Sequence, residues 1–353
     1  MKSYDVAIVG GGPAGAIFAS ELASALPELS ILLIDAQSPD KQKVCGGLLA
    51  PDAQRVLAML GLTLPKDILS DQQIFDVETI DIRSKCIRHY QRHYLNMDRY
   101  AFDKWLISLI PEGVDIINGT CLDITDEGDG FYLTIKSTDE ASVVKAKYIV
   151  GADGANSIVR RTFFKSKTKK YVAIQQHFLC SDISLPPYSC IFDSMTSDSC
   201  SWTIRKDGYF IYGGAFESRG CRDSFEKQKK RLEEFIGTSF GKAIKTEACL
   251  LTSPRHFSDF ITGDRRIFLI GEAAGFISAS SFEGLSSAML SGRLLAEAFA
   301  SAKSDDGIFR SYKKKSLRLK LKLFSKIQKR RILCSPILRY LIMKSGIQSV
   351  NKY

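Results

Sequence analysis

The first 35 residues combine two short apolar runs with one stretch of helical periodicity. Residues 6–9 are a β-branched apolar run, residues 16–26 carry apolar side chains at helical spacing, and residues 31–34 are a second apolar run that ends at Asp35. A cluster of glycines separates the first run from the helix. Short apolar runs of this kind are typical of strands that are buried on both faces of a sheet. The pattern predicts a strand–turn–helix–strand unit of the doubly wound α/β class.

Apolar strand and helix patterns of the same kind return later in the chain. Helical spacing is found in residues 96–110 and 284–300, and apolar runs in residues 147–151 and 266–271. Between them lie shorter strand-like runs that polar residues, glycines or prolines interrupt, which predicts a mostly antiparallel sheet. These interrupted runs occupy residues 74–82, 171–177, 190–193, 201–205 and 209–213.

Together the patterns predict an α/β protein in which a Rossmann-like domain is split by an inserted domain. The Rossmann-like domain is expected to comprise residues 1–73, 95–165 and 263–306. An antiparallel-sheet substrate domain would comprise residues 74–94 and 166–262, and residues 307–353 would form a C-terminal helical segment.

The composition is that of a folded, water-soluble protein, with 45% hydrophobic and 25% charged residues. A length of 353 residues allows two domains and a short appendage. No apolar run reaches the roughly 18 residues of a membrane-spanning helix. Asp5 interrupts the apolar residues near the N-terminus, where a signal peptide would need them. We therefore expect a cytoplasmic protein.

The nine cysteines are scattered, odd in number and without C-x-x-C spacing, and there are only four histidines. Zinc sites and disulfide frameworks require paired or regularly spaced ligands. The sequence therefore predicts neither a metal site nor a disulfide framework.

The net charge of +10 is concentrated at the C-terminus. Residues 307–353 contain fourteen Lys and Arg and no Asp or Glu, so residues 1–306 carry a net charge of −4. The basic character therefore belongs to the C-terminal segment and not to the whole protein.

The first glycine turn has the spacing of a dinucleotide-binding motif. Gly12 would let the backbone approach a pyrophosphate, and Gly15 would let the helix pack closely on the strand. The helix N-terminus would offer free N–H groups to the phosphates, and Asp35 stands where a carboxylate can accept ribose hydroxyls. The turn has the sequence Gly10-Gly11-Gly12-Pro13-Ala14-Gly15.

Two further glycine turns follow apolar runs and carry acidic residues. An Asp-Gly turn after a strand is common, but three strand–glycine–acid turns in one chain favour one extended ligand over three unrelated loops. The second turn is Gly151-Ala152-Asp153-Gly154-Ala155-Asn156-Ser157-Ile158-Val159-Arg160. The third is Gly271-Glu272-Ala273-Ala274-Gly275, and it continues to Glu283-Gly284 and a helix.

The three motifs in this order resemble the superfamily of FAD-dependent hydroxylases and geranylgeranyl reductases, whose fold is like that of p-hydroxybenzoate hydroxylase. The resemblance implies an FAD cofactor, held by the Rossmann-like domain. The first turn would bind the ADP half of FAD, and Asp35 the adenosine ribose. Glu272 stands where Asp usually contacts the ribityl chain, and Asp153 and Gly154 would support the phosphates and the flavin. Arg99, in the segment from Asn96 to Asp103, matches an arginine near the flavin and pyrophosphate.

Within this superfamily the segment Cys45-Gly46-Gly47-Leu48-Leu49-Ala50-Pro51 resembles the cysteine–glycine segment of the geranylgeranyl reductases. That likeness places Cys45 at the flavin as a candidate catalytic residue, although a lone cysteine is more often an ordinary buried side chain. Trp202 lies in a run that resembles the aromatic substrate-cavity motif of these enzymes, with departures on both sides. The likeness is greatest to a bacterial branch linked to the cell envelope and to colicin M resistance, and it covers nearly the whole chain.

The C-terminal segment admits two interpretations. As a helix, residues 312–324 place Leu317, Leu321 and Phe324 on one face, with Lys and Arg on the rest. Such a helix can cap the FAD domain with a solvated basic face, or it can lie on an anionic membrane surface. Nucleic acid is disfavoured because no recognition motif accompanies the charge. The absence of acidic residues favours peripheral contact with the inner face of the membrane.

Three functions stay open at this point. The first is an FAD-dependent oxidoreductase that reduces an apolar, isoprenoid-like lipid, with an unidentified electron donor because no second G-x-G-x-x-G unit exists for NAD(P)H. The second is a flavin monooxygenase; a halogenase is disfavoured because no W-x-W-x-I-P segment occurs. The third is a flavin-bound protein that modulates the envelope or bacteriocin resistance without turnover.

Overall fold

The computed structural model describes residues 1–36, 43–137, 140–165, 168–179, 183 and 185–350. Its strands are β1 (Lys2–Val9), β2 (Ile31–Asp35), β3 (Leu48–Leu49), β4 (Ile74–Asp81), β5 (Cys86–Asn96), β6 (Val114–Asn118), β7 (Thr120–Asp126), β8 (Phe131–Lys136), β9 (Ala141–Gly151), β10 (Lys169–Leu179), β11 (Tyr188–Phe192), β12 (Cys200–Lys206), β13 (Tyr209–Glu217), β14 (Lys245–Ser253), β15 (Gly263–Asp264) and β16 (Ile267–Leu269).

The α-helices of the described residues lie between and after these strands. They are α1 (Pro13–Ala25), α2 (Pro51–Met59), α3 (Arg99–Ser108), α4 (Ile158–Phe163), α5 (Cys221–Ile236), α6 (Leu285–Ser301), α7 (Asp305–Lys315), α8 (Leu317–Cys334) and α9 (Pro336–Ser345).

The first sheet is the predicted doubly wound layer, with the strand order β15-β16-β9-β1-β2-β6. β1 pairs in parallel with β2 on one side and with β9 on the other, and β16 and β6 extend the parallel pairing outward. Alternate side chains of β1 enter two different cores. Val6 and Ile8 pack under α1 and α6, whereas Ala7 and Val9 pack under the antiparallel β7–β8 pair, α4 and α8. The apolar runs are therefore continuous because both faces of the sheet are covered.

The second sheet has the order β14-β10-β13-β12-β11-β4-β5-β3. Its pairs are antiparallel except for β11 with β4, which run parallel. One face packs against α5 through an aromatic core that includes Phe178, Phe210 and Phe225. The opposite face carries Trp202 and Ile204, which border the site described below. The predicted fold class, a Rossmann-like layer with an antiparallel-sheet layer and C-terminal helices, is confirmed.

The described part of the C-terminal segment contains the three helices α7, α8 and α9. α8 packs on the core of the first sheet through Leu319, Leu323 and Ile327, which are buried at i, i+4 and i+8. The predicted apolar face is therefore wrong in part, because Leu317 and Leu321 are exposed. The observed face is buried instead because it carries three aliphatic residues that reach the core.

Acidic residues elsewhere in the chain pair with several cations of this segment. Within the described residues these pairs are Lys315–Glu297, Lys322–Asp52, Arg330–Asp198 and Arg339–Asp81, at 2.8–3.0 Å. Some of the basic charge is thus used to fasten the segment to the body of the protein. In the part of the chain that the structure describes, no helix has the length and apolar character needed to cross a bilayer.

Candidate cofactor and substrate site

An elongated cavity of about 550 Å³ lies between the two sheets. Its walls come from the carboxyl ends of β1, β2 and β9 and from the inner face of the second sheet. The carboxyl ends of parallel strands are where doubly wound proteins bind their ligands. The volume is within the range of small-molecule sites.

The end of the cavity at β1 is built as a phosphate cradle. α1 begins at Pro13, and its N-cap residue Gly12 makes no side-chain capping bond, so the first N–H groups of the helix are left for a ligand. A Cβ atom built on Gly12 would meet no described atom within 4 Å. A Cβ on Gly15 would lie 2.0 Å from the carbonyl oxygen of Gly10. Gly12 therefore faces open space, while Gly15 is required by the packing of α1 on the turn.

Asp35 ends β2 beside this cradle and is almost fully buried, at 2% exposure. Its carboxylate lies so close to Gly11 that a Cβ on that glycine would approach the Asp35 Cγ to 2.6 Å. Lys104 Nζ donates to Asp35 Oδ2 at 3.1 Å. This position fits the predicted contact with the adenosine ribose.

Cys45 lines the cavity beside Arg99. Burial alone raises the pKa of the Cys45 thiol, but the positive charges of Arg99 and Lys206 and the N–H of Gly47 outweigh it, so this pKa lies below its ordinary value. The N–H of Gly47 is 3.4 Å from the Cys45 Sγ. Arg99 is held in turn by Asp103, at 2.8 Å from Nε to Oδ1. The thiol is therefore poised to lose a proton more easily than a free cysteine.

Two acidic residues from the second and third glycine turns border the same cavity. Glu272 Oε1 accepts hydrogen bonds from the N–H and the hydroxyl of Thr252, at 2.8 and 2.9 Å, and Lys43 Nζ lies 3.5 Å from Oε2. Asp153 Oδ2 accepts from the N–H of Ile158 at 2.6 Å. Asp153 Oδ1 is buried and has no hydrogen-bond partner among the described residues, and burial raises the pKa of this carboxyl. A buried acceptor without a partner is costly, so a ligand donor would stabilise it.

The other end of the cavity is mostly apolar. Tyr94 donates to Glu283 Oε1 at 2.7 Å and meets the ring of Tyr188 edge to face, with centroids 5.4 Å apart. The indole of Trp202 lies across Gly213, and its Nε1 is buried with no acceptor among the residues described. The apolar wall consists of Ile174, Ile204, Leu251, Ile277 and Phe282.

The structure brings most of the predicted site residues together along this cavity. Those that line it are Gly10, Gly12, Pro13, Ala14, Asp35, Cys45, Gly46, Arg99, Asp153, Gly154, Trp202, Glu272 and Gly284. Four of the predicted cofactor-binding glycines shape the turns from behind instead, because neighbouring backbone or side-chain atoms fill the place of a Cβ. They are Gly15, Gly47, Gly271 and Gly275.

Sequence reasoning missed the two tyrosines that meet at the apolar end. Tyr94 and Tyr188 come together only because β4 lies between their strands, β5 and β11, in the second sheet. Glu283 reaches them from the loop before α6. No local motif marks the two tyrosines, which only the strand order brings together, whereas Glu283 belongs to the continuation of the third glycine turn. Lys43 was also missed, although it stands two residues before Cys45.

These features fit a dinucleotide: an uncapped α1 with open space at Gly12, a carboxylate at the end of β2 and an unpaired acceptor on Asp153. The family of FAD binding domains matches residues 3–324. The chain belongs to this FAD-binding family.

The flavoprotein is 43% identical over 356 aligned residues to protein CbrA of Escherichia coli, a match that covers 99% of this chain and 95% of that one. CbrA of Shigella dysenteriae is also 43% identical, with 99% of both chains covered. The predicted FAD cofactor is confirmed, and so is the predicted likeness, over nearly the whole chain, to a bacterial branch of the superfamily, which is that of CbrA.

Solved structures show the same fold around different chemistries. A geranylgeranyl bacteriochlorophyll reductase-like protein from Thermoplasma acidophilum superposes on the flavoprotein with a TM-score of 0.80 at 20% identity, covering 95% of this chain and 88% of that one. A flavin-dependent brominase superposes with a TM-score of 0.70 at 20% identity, covering 97% and 93%. At these identities the likeness establishes the fold alone. The flavoprotein is thus a member of the FAD-binding family, with a fold that it shares with a reductase-like protein and a brominase.

Proposed function

We propose that this flavoprotein reduces a carbon–carbon double bond in an apolar, isoprenoid-like lipid linked to the cell envelope. The observation that carries the proposal is the continuity of the cofactor cradle with an apolar chamber in one cavity. A chamber walled by Ile174, Ile204, Leu251, Ile277 and Phe282 excludes water and accepts hydrocarbon. The fold's likeness to a reductase-like protein of the geranylgeranyl type supports the same substrate class.

Cys45 is the proposed proton donor. Bound FAD, in its reduced form, supplies hydride chemistry at this site. Saturation of the double bond also needs a proton, and the Cys45 thiol has a lowered pKa because Arg99 and Lys206 stabilise the thiolate that remains. The electron pair of the S–H bond stays on sulfur, and the proton goes to the second carbon of the former double bond.

Trp202 and Arg99 are proposed to position the reactants. The indole N–H of Trp202 is a buried donor without a described partner, and it would hold a polar group of the substrate. Arg99 is fixed by Asp103 and lines the cavity beside Cys45, where it would hold the cofactor and keep the thiolate charge compensated.

The test is an anaerobic half-reaction. Purified protein with FAD is reduced with dithionite and mixed with polyprenyl lipids, and flavin absorbance is followed. We expect reoxidation that depends on the lipid, with a product two mass units heavier for each bond reduced. Cys45→Ala should keep FAD but slow this step, while Cys221→Ala, at a half-exposed cysteine on α5 remote from the cavity, is the matched control. Reduced flavin that never reoxidises with any polyprenyl lipid would refute the reductase.

A monooxygenase is the second candidate, because proteins that share the fold carry out oxygen-dependent flavin chemistry. They include a flavin-dependent brominase and a p-nitrophenol 4-monooxygenase from Pseudomonas putida, the latter with a TM-score of 0.69. Rapid consumption of O₂ by the reduced protein with hydroxylation of the lipid would support this candidate. A protein that reacts with neither lipid nor O₂ would fit a non-catalytic modulator of the envelope or of bacteriocin resistance.

A further inference from the structure

α9 buries a charged residue and exposes most of its large apolar residues, which is the reverse of an ordinary surface helix. The helix buries Arg339 and Met343, each 2% exposed, and turns large aliphatic side chains outward. Ile337 is 73% exposed and Leu341 55% exposed. At about 100° per residue, Leu341 lies roughly 160° around the helix from both buried residues. A contiguous apolar face on the outside of a folded protein points to a partner surface.

The contacts of the buried face fix this orientation. Arg339 Nε is 2.9 Å from Asp81 Oδ2, both side chains are almost inaccessible, and the guanidinium lies 4.7 Å from the centroid of the Phe192 ring. Arg88 Nε donates to the carbonyl oxygen of Met343 at 2.7 Å. A buried ion pair cannot be turned out without leaving its partner charge uncompensated. The helix therefore cannot rotate to bury its exposed leucines and isoleucines.

Exposed cations precede and follow this apolar face along the chain. Lys329 and Arg331 on the last turns of α8 and Lys344 on α9 are exposed, and none of them forms an ion pair with a described residue. The pKa of Lys329 is lowered by partial desolvation and by the neighbouring charges of Lys326 and Arg92, while Glu283 acts in the opposite sense. Two of these neighbours, Lys326 and Arg92, add further positive charge to the same region.

We propose that α9 docks on an anionic phospholipid bilayer. The α9 surface consists of the outward apolar residues Ile337, Leu338, Leu341 and Ile342 and the flanking cations Lys329, Arg331 and Lys344. Leucine and isoleucine on a short helix suit insertion at the acyl–headgroup boundary, and unpaired cations at its edge complement anionic headgroups. A protein partner would need its own acidic rim around an apolar patch, whereas an anionic bilayer presents both everywhere on its surface.

The α9 surface also stands near the apolar end of the cavity. α9 contacts β5 through the hydrogen bond from Arg88 to the Met343 carbonyl oxygen, and Tyr94 of the same strand lines that end of the cavity. Docking would thus bring the substrate chamber close to the lipid. The docking itself does not depend on the reaction proposed above, because it rests on α9 and its flanking charges alone.

Vesicle sedimentation with the full-length FAD-bound protein tests this proposal. Wild-type protein is expected to pellet with phosphatidylglycerol-containing vesicles and to remain in solution with pure phosphatidylcholine. Binding should weaken between 0.1 and 1 M salt, because the Debye length falls from about 10 to 3 Å. The variant Ile337→Gln/Leu338→Gln/Leu341→Gln and the variant Lys329→Gln/Arg331→Gln/Lys344→Gln are each expected to lower partitioning more than tenfold.

Matched controls remove similar groups elsewhere on the surface. Arg222→Gln/Lys227→Gln/Lys230→Gln removes three exposed cations of α5, and Met59→Gln removes an exposed apolar side chain at the end of α2. Both are expected to bind vesicles as the wild type does, and all variants should keep the FAD absorbance spectrum. A wild type that ignores phosphatidylglycerol vesicles, an α9 variant that binds them normally, or a wild type that uses α9 to dimerise instead would overturn the proposal.

Discussion

Gly12→Val separates cofactor binding from folding. Gly12 has φ −69°, which valine adopts readily, and its Cβ would meet no described atom within 4 Å. The isopropyl group would instead occupy the space in front of the α1 N-terminus, where the pyrophosphate of FAD belongs. Gly15→Ala is the contrasting change, because its Cβ would lie 2.0 Å from the Gly10 carbonyl oxygen. We expect the first variant to lose FAD but keep its fold, and the second to lose both.

The size of the effect follows from linkage between binding and unfolding. At a free FAD concentration of 100 times Kd, binding stabilises the folded state by about 2.7 kcal/mol. An unfolding entropy of roughly 2.1 cal/mol/K per residue gives about 0.74 kcal/mol/K for 353 residues. FAD should therefore raise the Tm of the wild-type apoprotein by about 4 °C.

The assay is thermal unfolding of apoprotein with and without added FAD, together with fluorescence of FAD released on denaturation. For Gly12→Val we expect no FAD-dependent shift and an apoprotein Tm within about 2 °C of wild type, because replacing a glycine N-cap by valine costs roughly 1 kcal/mol. Normal FAD binding by Gly12→Val would refute the proposed cradle. An apoprotein as unstable as Gly15→Ala would refute the claim that Gly12 faces open space.

Three other substitutions test separate parts of the structure. Because the pKa of Cys45 is lowered in the folded protein, turnover that needs its protonated thiol should decline with rising pH, and the decline should begin at a lower pH than for an ordinary cysteine. The pH dependence of the stopped-flow rates of Cys45→Ala should lack this decline. Arg339→Met should destabilise the packing of α9 on the protein by about 3–5 kcal/mol, because it leaves the buried Asp81 carboxylate without its partner charge. The double variant Arg339→Met/Asp81→Leu should recover most of this stability, measured as the protection of α9 amides from hydrogen exchange. Burial lowers the pKa of Lys320 to about 8 in the folded protein, so the charged side chain decreases the free energy of unfolding at neutral pH. This loss of stability diminishes as the pH rises from 8 toward 10.5, where the side chain is neutral in the folded protein. Lys320→Met should raise Tm at pH 7 and show a smaller gain at pH 10; an equal gain at both pH values would contradict the burial of that charge.

The cofactor half of the site was predictable because its residues belong to local turns. A strand, a glycine turn and a helix N-terminus are contiguous in the chain, so their spacing alone predicted one site for Gly12 and Asp35, and both line the cavity. The parallel order of the strands then follows from the handedness of strand–helix–strand units. The glycines that pack from behind, such as Gly275, could not be told from those facing the cavity, because spacing does not reveal which atoms fill the place of a Cβ.

The substrate half was not predictable to the same depth. Tyr94 and Tyr188 lie 94 residues apart and meet through strand pairing that no local pattern specifies. The apolar face of α8 was misplaced for a related reason. Leu317, Leu319, Leu321 and Leu323 alternate with cations, so several faces are apolar, and only contact with the core decides between them.

α8 contacts both sheets, so the cavity between them can close only when this helix is in place. Leu323 sits in the core of the first sheet, while Arg330 donates to the Tyr171 hydroxyl and the Asp198 backbone carbonyl of the second layer, at 2.9 and 3.0 Å. The helix that fastens the two walls of the cavity is thus synthesised after both of the walls it joins, and well after the phosphate cradle. During synthesis the nascent chain has a finished cradle and an unclosed chamber. Stable retention of FAD is therefore expected only after α8 has been made, and a premature stop codon before α8 should yield a colourless protein even though every cofactor-binding motif is present.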